Sequence, residues 1–162
     1  MLEAKSLLHV VLVHPEIPPN TGSIARLCAA TDTRLHLVRP LGFSLDDRYL
    51  KRAGLDYWPY VDLVVHDDWN AFLTQAQPRA VLCFSARAAR SYLAAPYAAA
   101  RETYLVFGGE TGGLPTEILN VHQDATYRIP IFNRRVRSLN LANAVAIAVY
   151  EALRQRGGLV EA

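Results

Sequence analysis

The spacing of apolar residues along this chain predicts an α/β domain built on an open, mostly parallel β-sheet. Three observations carry that expectation. Short runs rich in Val, Leu and Ile recur along the chain, and they are near-continuous rather than alternating, as strands buried on both faces are. Stretches with apolar residues at helical spacing lie between them. The alternation of the two is the pattern of a parallel sheet covered by helices on both sides. With 162 residues and an apolar fraction of 51%, the chain has the length of one domain and enough apolar surface for a core. A single domain over residues 1–162 is expected.

Each element has its own justification. Leu7–Val13 (LLHVVLV) reads as the first strand. Asn20–Ala30 places Ile24, Leu27 and Cys28 on one helical face, with Asn20 or Thr21 suited to cap it. Leu35–Val38 is a short second strand. Leu45–Arg52 reads as a short helix opened by Asp46 and Asp47. Val61–Val65 is the third strand. Asp68–Gln75 carries Trp69, Phe72 and Leu73 at helical spacing and stops before Pro78. Ala80–Ser85 and Thr103–Phe107 are two further strands. The Ala-rich stretch Ala86–Ala100 between them shows no clear period and reads as a linker. Leu114–Leu119 is a brief helix with Pro115 in its first positions, and Ala125–Ile129 a sixth strand. Asn140–Gln155 is the strongest helix. Leu141, Val145, Ala148, Val149 and Ala152 form its apolar stripe, and Arg154 and Arg156 before Gly157 and Gly158 suit its C-terminal end.

Composition narrows the function classes. The net charge is only +2, which does not by itself mark a nucleic-acid binder. Fifteen of the seventeen basic residues are Arg, with Lys5 and Lys51 the exceptions. Arg offers a planar fork suited to phosphate and carboxylate, although genomic composition bias produces the same excess. Cys28 and Cys83 sit in apolar runs far apart, so neither a disulfide framework nor a zinc site is expected. Reduced cysteines point to the cytoplasm. The five histidines, at 9, 14, 36, 66 and 122, make no ligand spacing, and no metal is expected. The start MLEAKSLLHVVLVHPE lacks the layout of a signal peptide, and no apolar run reaches membrane-spanning length.

Three polar stretches interrupt this pattern. HPEIPPNTGSIARLCAAT, residues 14–31, runs from the first strand into a helix. Gly22 permits close approach there, and Arg26 suits a phosphate near the helix start. LVFGGETGGLP, residues 105–115, clusters four glycines around a lone acid, Glu110. It fits neither the GxGxxG nor the Walker A pattern. The Glu110 carboxylate suits helix-terminal N–H groups or the orienting of a hydroxyl. YRIPIFNRRVRSLNLANAVAIAVYEALRQ, residues 127–155, brings Arg134, Arg135 and Arg137 close together, which suits a phosphate backbone. Ser138 and Asn140 then bracket the start of the last helix. Taken singly, each stretch also reads as a capped helix, a glycine turn or a wet loop.

Taken together, the three stretches resemble the three motifs of the SPOUT-class RNA ribose 2′-O-methyltransferases. GFSLDDRYLKRAGLDYW, residues 42–58, is similar to the subgroup that methylates the wobble nucleotide of tRNA, the tRNA (cytidine(34)-2′-O)-methyltransferases. The resemblance spans Val10 to Gln155. It implies an α/β fold with a C-terminal trefoil knot, use of S-adenosylmethionine without a metal, a homodimer, and the tRNA anticodon stem-loop as substrate. It implies a cofactor pocket of Phe84, Gly108, Gly109, Glu110, Gly113, Ile129, Ser138, Leu139 and Asn140. It places Asn20, Arg26, Glu110, Ser138 and Asn140 around the reaction, with Arg26, Arg134, Arg135 and Arg137 toward RNA. Methylation at another tRNA or rRNA position and a non-catalytic knotted RNA-binding protein are the rival readings. The chain departs from near relatives at Gly109, at Gly112, and in an IFNRRVRS loop about one residue longer than usual.

Overall fold

The computed structural model describes residues 7–54 and 57–159. In chain order its elements are β1 (Leu7–Val13), α1 (Pro18–Ala30), β2 (Arg34–Val38), α2 (Arg48–Gly54), β3 (Leu63–His66), α3 (Trp69–Ala76), β4 (Val81–Phe84), β5 (Arg90–Ser91), β6 (Glu102–Phe107), α4 (Thr116–Val121), β7 (Thr126–Arg128) and α5 (Leu141–Gln155). The strands form one sheet in the order β3-β2-β1-β6-β4-β7-β5, and every pairing is parallel. The expected architecture is therefore present.

Successive side chains of a strand face opposite ways, and β1 divides its apolar residues accordingly. Val10 and Leu12 join Ile24 and Cys28 of α1 and Val145 and Val149 of α5 in one core. Val11 and Val13 join Phe72 of α3 and Ile118 of α4 in the other. The chain steps outward from β1 to β2 and β3, then returns to the other side of β1 for β4 and β6. The strand ends at this reversal are where open parallel sheets hold ligands.

Several boundaries differ from expectation for local reasons. α1 begins at Pro18, not Asn20, and neither Asn20 nor Thr21 caps it. Pro18 and Pro19 occupy the first helical positions, where a missing N–H costs nothing. α2 begins late because Asp47 is first used in a turn with Ser44, and its carboxylate then accepts the Tyr49 N–H at 2.8 Å. Part of the 42–58 stretch, residues 55 and 56, lies outside the described residues. β3 begins at Leu63 because Trp58–Tyr60 forms a 3₁₀ turn that bonds the Val61 N–H. The linker reading of Ala86–Ala100 is corrected. It holds the two-residue strand β5 and a 3₁₀ turn, Tyr92–Ala94, too short and too exposed to show as an apolar run.

That small strand has a topological consequence. Phe84 of β4 and Arg90 of β5 both pair with Tyr127, from its two sides. Residues 85–89 therefore cross β7, and the Ser85 N–H bonds the Tyr127 carbonyl at 3.0 Å. Short connections usually avoid such crossings. The end of α5 is clamped to the same region. The Arg156 guanidinium donates to the carbonyls of Tyr97, Ala100 and Arg101 and to the Thr103 hydroxyl.

One polar cluster was invisible in the sequence. His9, His36 and His66 stand side by side on β1, β2 and β3 and are buried. His9 Nδ1 lies 2.9 Å from His36 Nε2, and His36 Nδ1 lies 2.9 Å from His66 Nε2. His9 Nε2 approaches Glu102 at 3.4 Å, and Tyr104 stacks on His9 at 4.0 Å. Their intervals of 27 and 30 residues carry no motif; parallel pairing alone aligns them.

Candidate functional site

The site is assembled where the C-terminal ends of β1, β6, β4 and β7 meet the start of α5. The loop after β6 is held by backbone contact. Gly113 has φ +68 and donates its N–H to the Gly109 carbonyl at 3.0 Å. Gly108 packs so tightly against this turn that a Cβ there would stand 2.0 Å from the Gly113 carbonyl carbon. Only glycine fits.

Glu110 extends from this loop to the start of α1. Its carboxylate accepts the Glu16 N–H at 3.1 Å and the Ile17 N–H at 2.5 Å. It therefore supplies the cap that α1 lacks, and its charge suits the positive end of a helix. Glu16 answers in the reverse direction, accepting the Thr111 hydroxyl at 2.7 Å. The two loops are buckled together by two carboxylates.

The third stretch joins them through two asparagines. Asn140 caps α5 by accepting the Asn143 N–H at 3.2 Å. Its amide donates to the Asn20 side-chain oxygen at 3.0 Å, across 120 residues of sequence. Segments that begin at Pro15, Gly108 and Ser138 thus form one hydrogen-bonded cluster.

Between them lies a cavity of about 280 Å³. Its lining includes Phe84, Gly108, Gly109, Glu110, Ile129, Ser138, Leu139 and Asn140, together with Asn20. Of the expected cofactor set, Gly113 alone is outside the lining, where it supports Gly109 from behind. The sequence reading missed Ile17, Phe107, Ile131 and Ala144, which also line it. Phe107 stacks on Phe84 with ring centroids 4.7 Å apart. Its position directly before the glycine cluster was the signal that could have found it. Apolar walls with a few convergent polar groups suit a cofactor that has a flat heterocycle and polar ends.

Arg26 is placed differently. It does not line the cavity and is exposed on the third turn of α1, with its guanidinium 4.5 Å from the centre of the Tyr57 ring. The earlier start of α1 puts it deeper into the helix than expected, away from the helix N-terminus. Arg134, Arg135 and Arg137 are exposed in the loop after β7. Arg134 and Arg137 line a second cavity that shares Ala86 and Ile131 with the first.

Other chemistries find little support. Burial pushes the Cys83 thiol up to about 12 and the Cys28 thiol higher still, so neither is a thiolate nucleophile near neutral pH. Among the described residues, no group of three or more His, Cys, Asp or Glu is placed to hold a metal ion. Nor is any helix among them long and apolar enough to cross a membrane.

Comparison with known proteins agrees with this geometry. Residues 7–150 match the SpoU rRNA methylase family. The chain is 47% identical over 152 residues to the tRNA (cytidine(34)-2′-O)-methyltransferase of Saccharophagus degradans, covering 93% of this chain and 97% of that protein. It is 46% identical over 157 residues to the enzyme of that name in Yersinia pestis, covering 93% and 95%. A solved structure described for the 2-OH methylation of C/U34 on tRNA superposes with a TM-score of 0.85 at 51% identity, covering 94% of this chain and 98% of the other. An AdoMet-bound rRNA methyltransferase from Sinorhizobium meliloti superposes with a TM-score of 0.83 at 25% identity, covering 98% of this chain and 59% of the other.

Proposed function

The chain belongs to the SpoU rRNA methylase family, and from that premise we propose that it methylates the ribose 2′-hydroxyl of the wobble nucleotide of tRNA, cytidine or uridine 34. The observation that carries this reading is the convergence of Asn20, Glu110 and Asn140 on one cavity, lined by eight of the nine residues expected to hold the cofactor.

S-adenosylmethionine, when bound, supplies an electrophilic methyl group. The transfer needs the acceptor oxygen, methyl carbon and sulfur in line, and an exit for the hydroxyl proton. Phe84, Phe107, Ile129 and Leu139 form an apolar slot for the heterocycle, and the Gly108–Gly109 backbone allows close approach. Asn20 and Asn140 hold the mouth of the cavity in shape. Ser138 orients the incoming hydroxyl. Glu110 braces the loops and is not the base, because its oxygens already accept the Glu16 and Ile17 N–H groups. Arg26 grips the phosphate beside the target ribose. A guanidinium is a permanent cation and a poor proton acceptor, so the proton leaves toward the phosphate that Arg26 positions.

The assembly is a homodimer. Arg26 stands outside the cavity of its own chain, which favours a composite site, and a chain of net charge +2 gains cationic surface when a dimer presents two separate sets of Arg134, Arg135 and Arg137 to one RNA. The anticodon stem-loop lies across both subunits. The 129–139 loop completes a trefoil knot, a reading supported by the crossing of β7 by residues 85–89. Two buried cysteines without a disulfide and a tRNA substrate support a cytoplasmic location.

The deciding experiment is methyl transfer from labelled S-adenosylmethionine to bulk tRNA, followed by mapping of the modified nucleotide. A 2′-O-methyl group at position 34 is expected. A mark elsewhere on RNA overturns the position, and no transfer to any RNA overturns the activity in favour of a binding protein.

A further inference from the structure

We propose that Phe132 is a stacking platform for a nucleobase neighbouring the methylated ribose, with Arg128, Arg134 and Arg137 holding the phosphates around it. This rests on the reading above that the substrate is RNA, and it assigns the surface that grips the strand beside the reacting nucleotide.

Position is the first argument. Phe132 lines the second cavity, of about 390 Å³, together with Arg128, Asn133, Arg134 and Arg137. That cavity adjoins the cofactor cavity, with Ala86 and Ile131 lining both. A strand whose ribose enters the first cavity has the second within reach of its neighbouring nucleotides.

Exposure is the second. Phe132 is 93% exposed, the most exposed large apolar side chain among the described residues. Its loop is nonetheless built. Asn133 directly after it closes a turn, its side chain accepting the Arg135 N–H at 2.9 Å and its carbonyl the Val136 N–H at 3.0 Å. An aromatic face turned to water beside a hydrogen-bonded turn is a surface for another flat group. Stacking on aromatic side chains is how single-stranded RNA is commonly held.

Charge selects the partner. From Ala125 to Tyr150 the chain carries four arginines, at 128, 134, 135 and 137, and no acidic residue. An apolar ring within a purely cationic segment matches a polymer with flat bases and an anionic backbone. It is a poor surface for pairing with its own copy, where cations would meet cations.

The test uses the full chain with Phe132→Ala and Phe132→Trp variants. Phe132→Ala is expected to raise the KM for tRNA roughly ten-fold or more while leaving S-adenosylmethionine affinity and the sedimentation coefficient unchanged. Phe132→Trp is expected to restore KM, and its fluorescence is expected to be quenched by tRNA. An unchanged KM in Phe132→Ala, or tryptophan emission indifferent to tRNA, overturns the proposal. A changed sedimentation coefficient in Phe132→Ala also overturns it and makes Phe132 a subunit contact. If the unaltered protein methylates no RNA, the functional reading falls separately, and tryptophan quenching by tRNA still decides the platform.

Discussion

The molecule contains two networks of polar side chains that join distant segments, and they are built for opposite ends. One ties Glu16, Asn20, Glu110 and Asn140 together at the strand ends. The other lines up His9, His36 and His66 within the sheet. The first is partly open and encloses a cavity of about 280 Å³. The second is buried, with Phe72 and Tyr104 packed against its rings. The carboxylates and amides of the first bond chiefly to backbone N–H groups and to each other, which fixes loops around a space. The imidazoles of the second turn four of their six nitrogens on one another, and His9 Nε2 faces Glu102 at 3.4 Å, so the row joins three strands and shapes no space. A linked set of polar residues thus marks a site when it shapes a void, and marks architecture when it fills one.

The sharpest way to break the open network is through its tightest contact. Gly108→Ala would place a methyl group 2.0 Å from the Gly113 carbonyl carbon and 2.1 Å from the Leu114 nitrogen. Both are backbone atoms and cannot turn aside, so the whole 108–114 turn must shift. That shift carries Glu110 off α1 and deforms the cavity wall. Loss of methyl-transfer rate by roughly 100-fold or more is expected, since displacements of about 1 Å cost that much at a positioned site, together with weaker S-adenosylmethionine binding by calorimetry. Retained binding would mean the glycine loop is only a turn.

The buried network is probed by acid. Burial, with help from the neighbouring imidazoles and Arg34, holds His36 down at about 3 in the folded protein. Burial also lowers His9, against the pull of Glu102, and lowers His66. In the unfolded chain these groups titrate near ~6.5. Above that pH neither state binds the proton and the stabilisation is complete. As pH falls below it, the unfolded state takes up protons that the folded state refuses, and stability is lost through the interval down to the folded value. His36 alone contributes a slope of about 1.4 kcal/mol per pH unit. The urea midpoint should therefore drop between pH 7 and pH 5, and drop less in a His36→Phe variant relative to its own value at pH 7. A flat profile in the unaltered chain would show that the imidazoles take up protons in the fold as readily as they do in the unfolded chain.

The two networks were not equally legible in the sequence. The apolar runs of β1, β2 and β6 revealed the sheet because burial on both faces leaves a continuous signature. The three polar stretches were visible as stretches, and their resemblance to one family joined them, but the joins themselves were not readable. Glu110 as the cap of α1 requires knowing that α1 opens on two prolines with no cap of its own. The Asn140–Asn20 bond spans 120 residues, and only parallel strand order brings its ends together. β5 was unreadable because two exposed polar residues become a strand only when β7 lies beside them. The histidine row failed for the same reason: pairing across β1, β2 and β3 creates it, and no local pattern announces it.

The smallest expected effect separates the glycines within the open network. Gly112 stands one residue from Gly113, yet a Cβ added at Gly112 meets nothing within 4 Å, and its backbone is not in the left-handed region. Gly113 also has open space around it but holds φ +68, where a side chain strains the backbone by about 1–2 kcal/mol. Gly112→Ala should therefore leave cofactor affinity and thermal stability within error, with a slight gain from the restricted unfolded chain. Gly113→Ala should lower the midpoint of thermal unfolding by several degrees, and weaken cofactor binding less than Gly108→Ala does. The ranking matters because it tests what each glycine does: 108 by contact, 113 by backbone conformation, 112 by neither. If Gly112→Ala alone weakened methyl transfer while binding and stability held, the open side of the loop would be facing RNA, and the network would extend one residue further than its hydrogen bonds show.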